Sequence, residues 1–84
     1  MTTTEGGTVL IVDDDREVVR TYRRYLETSY DVREAYDGED ALAKLDESVD
    51  VVLLDRRMPD VSGGEVLDRI RERDLGVRVA MVTA

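Results

Sequence analysis

Asp50-Val51-Val52-Leu53-Leu54-Asp55-Arg56-Arg57-Met58-Pro59-Asp60-Val61-Ser62-Gly63 is the stretch that decides how the rest of the chain is read. Val51 to Leu54 is apolar, rich in β-branched residues and too short for a buried helix, so it predicts a central strand covered on both faces. The strand ends on Asp55. Pro59 has no backbone N–H, and Ser62-Gly63-Gly64-Glu65 has the spacing of a capping box. The chain therefore leaves the strand, crosses a short loop and starts a helix near Ser62. Asp55 is left at the carboxyl edge of a buried strand, the edge at which open α/β sheets bind ligands where the strand order switches. A lone aspartate there is ordinarily a strand end that meets water. Asp55 is not alone.

A second apolar run, Thr8-Val9-Leu10-Ile11-Val12, ends in Asp13-Asp14-Asp15 and runs into a helical pattern. If the two strands are parallel neighbours, about 4.8 Å apart, both acidic ends share one rim. At an effective dielectric near 20, two unit charges about 5 Å apart repel by roughly 3 kcal/mol, a large fraction of the stability of a small domain. A bound cation is the natural compensation. Oxygen ligands without Cys or His suit a hard divalent ion, and an incomplete carboxylate set with room for water and phosphate suits Mg²⁺ better than a full Ca²⁺ cage. The EF-hand pattern is absent, because no Gly or Glu follows Asp13-Asp14-Asp15 at the required spacing.

Eighty-four residues with 42 % hydrophobic content make one domain with one modest core. The formal charge of -8 and the lack of any Lys/Arg cluster larger than a pair argue against direct nucleic-acid binding. No Cys is present, so disulfide and thiol chemistry are excluded. No long apolar span or signal-type segment occurs, which leads to the expectation of a cytoplasmic chain that does not engage a membrane. No His occurs either, so any phosphoryl group comes from a partner or a small donor. Lys44 is the only lysine against repeated arginines; an acidic surface nearly free of lysine resembles proteins of salt-loving organisms, and a GC-rich genome explains it equally well.

Residues 1–7 read as a Thr- and Gly-rich flexible lead-in. Gly6-Gly7 precedes the first strand, the wrong side for a dinucleotide fingerprint, and no P-loop pattern occurs. Val18, Val19, Tyr22, Tyr25 and Leu26 form the apolar side of a helix over 16–27, with both tyrosines expected to be partly packed. Asp14 and Glu17 have capping-box spacing, so one of the three aspartates, Asp14 or Asp15, is expected to cap this helix. The spacing further predicts a more polar strand near the sheet edge over 30–35, a helix over 38–47, the strand over 50–55, a helix over 63–74 stopped at Gly76, and a strand over 77–83. Strands alternating with helices imply a parallel sheet.

Val9-Leu10-Ile11-Val12-Asp13-Asp14-Asp15, the Asp55-x-x-Met58-Pro59-x-x-x-Gly63 loop and the closing Val79-Ala80-Met81-Val82-Thr83-Ala84 together resemble, in order and over nearly the whole chain, the landmarks of the response-regulator receiver domain of two-component phosphorelays. The resemblance implies a three-layer α/β/α, flavodoxin-like parallel sheet of strand order 2-1-3-4-5, here as β1-α1-β2-α2-β3-α3-β4 over residues 8–84. It implies that Asp55 accepts a phosphoryl group and contributes to a Mg²⁺ site with Asp14, with Asp13 acting mainly through water, and with the backbone carbonyl of Arg57. Thr83 would offer its hydroxyl, and Ala84 its backbone N–H, to phosphoryl oxygens. The implied partners are a sensor histidine kinase and an output domain or partner protein. The chain would be no enzyme beyond its own phosphotransfer and slow dephosphorylation.

Two alternatives stand beside this reading. A non-phosphorylated interaction module of the same fold would bind its partner regardless of Mg²⁺ and phosphodonor. A phosphatase with an Asp nucleophile lacks its usual Asp-x-Asp spacing here, since Arg57 stands at the second position. A full receiver also continues past the Thr-Ala strand end into a fourth helix, a fifth strand carrying a lysine, and a fifth helix. The expectation is thus a receiver truncated after its fourth strand, a fragment of a longer one, with a homodimer through the exposed fourth-strand edge as the other way to complete the sheet.

Overall fold

The computed structural model describes residues 7–58 and 61–82. Four strands, β1 (Thr8–Val12), β2 (Asp31–Ala35), β3 (Val51–Asp55) and β4 (Arg78–Val82), alternate with helices α1 (Arg16–Leu26), α2 (Gly38–Lys44) and α3 (Gly63–Arg73). All pairings are parallel and the order is β2-β1-β3-β4, which matches the first four positions of the predicted sheet. The chain leaves β1 toward β2 on one side and returns to β3 on the other, so the switch point falls between β1 and β3, as predicted. The polar β2 is an edge strand, also as predicted.

Alternation along the strands divides the core into two layers. Leu10, Val12, Val52 and Leu54 point to the side roofed by α2 and α3, where Ala41, Leu42, Leu45, Val66 and Ile70 meet them. Val9 and Ile11 point to the other side, where Val19 of α1 and Val32 are buried with them. That second side has one helix instead of two. Val51 and Leu53 consequently stay half-buried, so β3 is covered on both faces less fully than its apolar run suggests. Tyr22 packs there, but Tyr25 does not: it lies about 120° round α1 from the buried Val19 and is 78 % exposed, against expectation.

The helix ends differ from the sequence reading for local reasons. Leu45 is extended (φ -79°, ψ 126°) and turns its side chain into the core, so α2 stops at Lys44 and not near residue 47. Asp74 takes the left-handed conformation (φ 53°, ψ 47°) that Asp tolerates better than most residues, and so ends α3 two residues before Gly76. Ser62 caps α3 as predicted, accepting a hydrogen bond from the Glu65 N–H at 3.2 Å. Gly7, placed with the flexible lead-in by its sequence, is tied to the sheet: its carbonyl accepts from the Asp31 N–H at 2.9 Å.

Candidate functional site

The register sets Val12 beside Leu54, so Asp13 and Asp55 emerge from adjacent strands at the same height on the carboxyl rim. One carboxylate oxygen from each of Asp13, Asp14 and Asp55 lies within 4.8 Å of the others, the only such grouping among the described residues. They open on a cleft of about 560 Å³ that Val18, Tyr22, Arg56, Arg57 and Val82 also line.

The three consecutive aspartates divide their tasks. Asp13 is half-buried, and its Oδ1 accepts from the Asp15 N–H at 2.9 Å, turning the chain out of β1. Asp15 is the N-cap of α1, its Oδ1 accepting from the Glu17 N–H at 3.0 Å. Of the two candidates for the cap, the structure thus selects Asp15, and the Asp14–Glu17 spacing is not used. Asp14 is exposed and makes no hydrogen bond among the described residues. Asp55 Oδ1 accepts a long bond, 3.3 Å, from the Arg57 N–H, so this carboxylate hangs from the loop that follows its own strand.

Burial pushes the Asp13 carboxyl above its usual range, and the negative charges of Asp55, Asp14 and Asp15 add to that push. The Asp15 N–H works in the opposite direction without cancelling it. No basic side chain forms an ion pair with any of the three carboxylates among the described residues, although Arg56 and Arg57 line the same cleft. This is a site held in mutual repulsion, furnished with oxygen ligands only and open to solvent. The donor set fits a hard divalent cation.

Val82 pairs with Asp55 across β3 and β4, which brings the end of the fourth strand to the same rim. Thr83 and Ala84, the two remaining predicted site residues, lie outside the described residues, as do Pro59 and Asp60 of the loop.

The sequence model of the response regulator receiver domain matches residues 9–84. The chain belongs to this family. A protein of Haloferax volcanii is 57 % identical over 77 residues, covering 90 % of this chain and 13 % of that protein. The transcriptional regulatory protein ResD of Bacillus subtilis is 40 % identical over 86 aligned residues, covering 100 % of this chain and 35 % of ResD. The receiver therefore spans only a minor part of the length of these relatives. The response regulator TrrA of Thermotoga maritima, solved in complex with Mg²⁺ and BeF, superposes with a TM-score of 0.84 at 33 % identity over 93 % of this chain and 70 % of that one. The flavodoxin-like architecture and the role of a two-component receiver follow from these matches, and no helix among the described residues is long and apolar enough to cross a membrane.

Sequence reasoning brought Asp13, Asp14, Asp55 and Arg57 to one place, and the structure brings their elements together there. It did not single out Arg56, Val18 or Tyr22 as cleft residues. For Val18 and Tyr22 the signal was available, because they share the face of α1 one turn apart and directly follow the acidic strand end.

Proposed function

We propose that Asp55 is the phosphoacceptor of this receiver and that Asp13, Asp14, Asp55 and the backbone carbonyl of Arg57 hold a Mg²⁺ ion beside it. The observation that carries this reading is that one oxygen from each of three carboxylates meets within 4.8 Å, with no ion pair to any of them among the described residues. The Asp55 carboxylate attacks phosphorus in line, forming an O–P bond as the P–N bond of a phosphohistidine donor breaks and its electron pair stays on the imidazole. When bound, the cation supplies the positive charge that lets an anionic nucleophile approach an anionic phosphoryl group. The Arg57 N–H orients Asp55 by holding Oδ1 and leaves Oδ2 for the attack. Thr83 and the Ala84 N–H are assigned to the phosphoryl oxygens of the product.

The donor is a sensor histidine kinase, consistent with a chain that has no histidine of its own. The reader of the modified state is an output domain or a separate protein, and the setting is the cytoplasm. Residues 8–84 form the receiver unit. The outer edge of β4, unpaired among the described residues, takes a further strand, from a longer receiver or a second copy of this chain. Catalysis is confined to the chain's own phosphotransfer and slow dephosphorylation.

Incubation with Mg²⁺ and acetyl phosphate, followed by peptide mass spectrometry, tests the assignment. A phosphoryl group on Asp55 that is lost in Asp55→Asn is expected. Partner binding indifferent to Mg²⁺ and donor, with Asp55 unmodified, would favour the plain interaction module.

A further inference from the structure

Two consecutive glycines begin α3, and they stand in opposite surroundings. A methyl group on Gly64 would have only the Ser62 Oγ near it, at 3.9 Å. A methyl group on the buried Gly63 would overlap the Asp55 carbonyl oxygen outright, and would lie 2.8 Å from the Arg56 Cα and 3.1 Å from the Arg56 carbonyl oxygen. All three obstacles are backbone atoms, which cannot swing aside as a side chain would. The Gly63 N–H also donates to the Arg56 carbonyl at 3.0 Å. The loop from Arg56 to Gly63 is thus closed at its base by one hydrogen bond and one close approach, both made at Gly63. From that same loop hangs the Arg57 N–H that holds Asp55 Oδ1.

We propose that Gly63 is a positioning residue for the Asp55 site. By letting the first turn of α3 settle on the backbone of Asp55 and Arg56, it holds the acceptor carboxylate and the Arg57 peptide in the arrangement that the phosphoryl group and its cation require. The inference deepens the phosphoacceptor reading and rests on it. Restoring ordinary contact around an added methyl moves the start of α3 away from β3 by on the order of 1 Å, and a misplacement of that size at a reacting centre costs about a hundredfold. Gly63 touches neither substrate nor metal in this account; it acts through the backbone of its neighbours.

The test uses the full chain and beryllofluoride as the phosphoryl mimic, with bound fluoride followed by ¹⁹F NMR during Mg²⁺ titration. The wild type and Gly64→Ala should saturate alike, within about twofold, while Gly63→Ala, still melting cooperatively, needs at least about tenfold more Mg²⁺ and mimic. A purely structural role would lower the melting temperature and leave the affinity of the folded molecules unchanged. Equal affinity in folded Gly63→Ala overturns the proposal while the wild-type signal keeps the phosphoacceptor reading intact. Absence of bound fluoride in the wild type defeats that reading and this inference with it. Should Gly63→Ala not fold, amide exchange in the wild type decides: by reciprocity of linked equilibria, Mg²⁺ and mimic together must slow exchange of the Gly63 amide, and an unchanged rate overturns the proposal.

Discussion

Two carboxylate clusters in this small domain are built on opposite terms. Glu34, on the edge strand β2, is answered from within the chain: the Tyr36 hydroxyl donates to it at 2.6 Å and the Arg23 guanidinium at 2.7 Å, the latter bound also to Glu27 at 3.2 Å. Those bonds, the Tyr36 hydroxyl first and Arg23 next, hold the Glu34 carboxyl below its usual range. Arg16 in turn stacks on the Tyr36 ring, 4.3 Å from its centroid. The rim cluster has no such answer among the described residues. Asp13 is pushed above its usual range by burial and by the carboxylates around it. Glu34 ties α1 to β2 and is complete as it stands, whereas Asp13, Asp14 and Asp55 concentrate negative charge with no ion-pair partner among the described residues, the excess that the proposed cation would relieve.

The largest effect expected from this contrast is on metal binding. Asp14→Asn should weaken Mg²⁺ by about tenfold to a hundredfold, and Asp13→Asn by less, since Asp14 is the carboxylate with no hydrogen bond inside the described structure. Isothermal titration with Mg²⁺ measures both. Equal and small losses would mean that the cation, if it binds, sits elsewhere.

Next in size is the loss of the compensated cluster. Glu34→Gln should destabilise the fold by about 1–2 kcal/mol in urea denaturation, because charge-assisted bonds are lost at a partly exposed site. The pH dependence has a definite sign. A carboxyl whose folded-state value is depressed contributes stability that is present above its ordinary value, about 4.3, and is lost as pH falls through the lower folded value. The variant should therefore lose less stability than the wild type on acidification below about pH 4. A parallel acid response in the two proteins would show that the pair contributes nothing.

Asp13 should behave in the opposite sense. Its raised folded-state value means that the charged form is disfavoured in the fold, a penalty present at neutral pH and relieved as pH falls through that value. Asp13→Asn keeps an oxygen to accept from the Asp15 N–H and removes the charge, so the metal-free protein should gain about 1 kcal/mol. A loss of stability would instead make the aspartate a turn residue and no more. The smallest effect is that of salt: with a net charge of -8, molar KCl should raise the metal-free melting temperature by a few degrees, roughly, through screening. A flat response leaves the scarcity of lysine to codon usage.

The rim cluster was legible in the sequence because strand period and strand ends are local facts. Val9–Val12 and Val51–Leu54 are apolar runs that each stop on an acid, and a parallel sheet places two such ends together. The compensated cluster was not legible. Tyr36 reaches Glu34 locally, two residues along the chain, but Arg23 belongs to α1, and only the packing of α1 over β2 brings it to Glu34. Asp15 is the cap because it is the last extended residue (φ -91°, ψ 109°) before α1 begins at Arg16, a starting point that spacing does not encode. Tyr25 was misjudged because an apolar stripe on a helix is buried only as far as the opposing layer extends, and α1 faces that layer alone. The close approach at Gly63 depends on where α3 settles against β3, so the motif could be quoted without its physical reason.

The contrast between a carboxylate answered within the chain and three for which a cation is proposed is tested most directly at Asp55. Mg²⁺ alone, and then Mg²⁺ with beryllofluoride, should raise the melting temperature of the wild type stepwise, and Asp55→Asn should abolish the second step while leaving the fold intact. A melting curve of the wild type unmoved by either addition, or an Asp55→Asn protein that still gains the full second step, would contradict the assignment of this rim as the phosphoacceptor site.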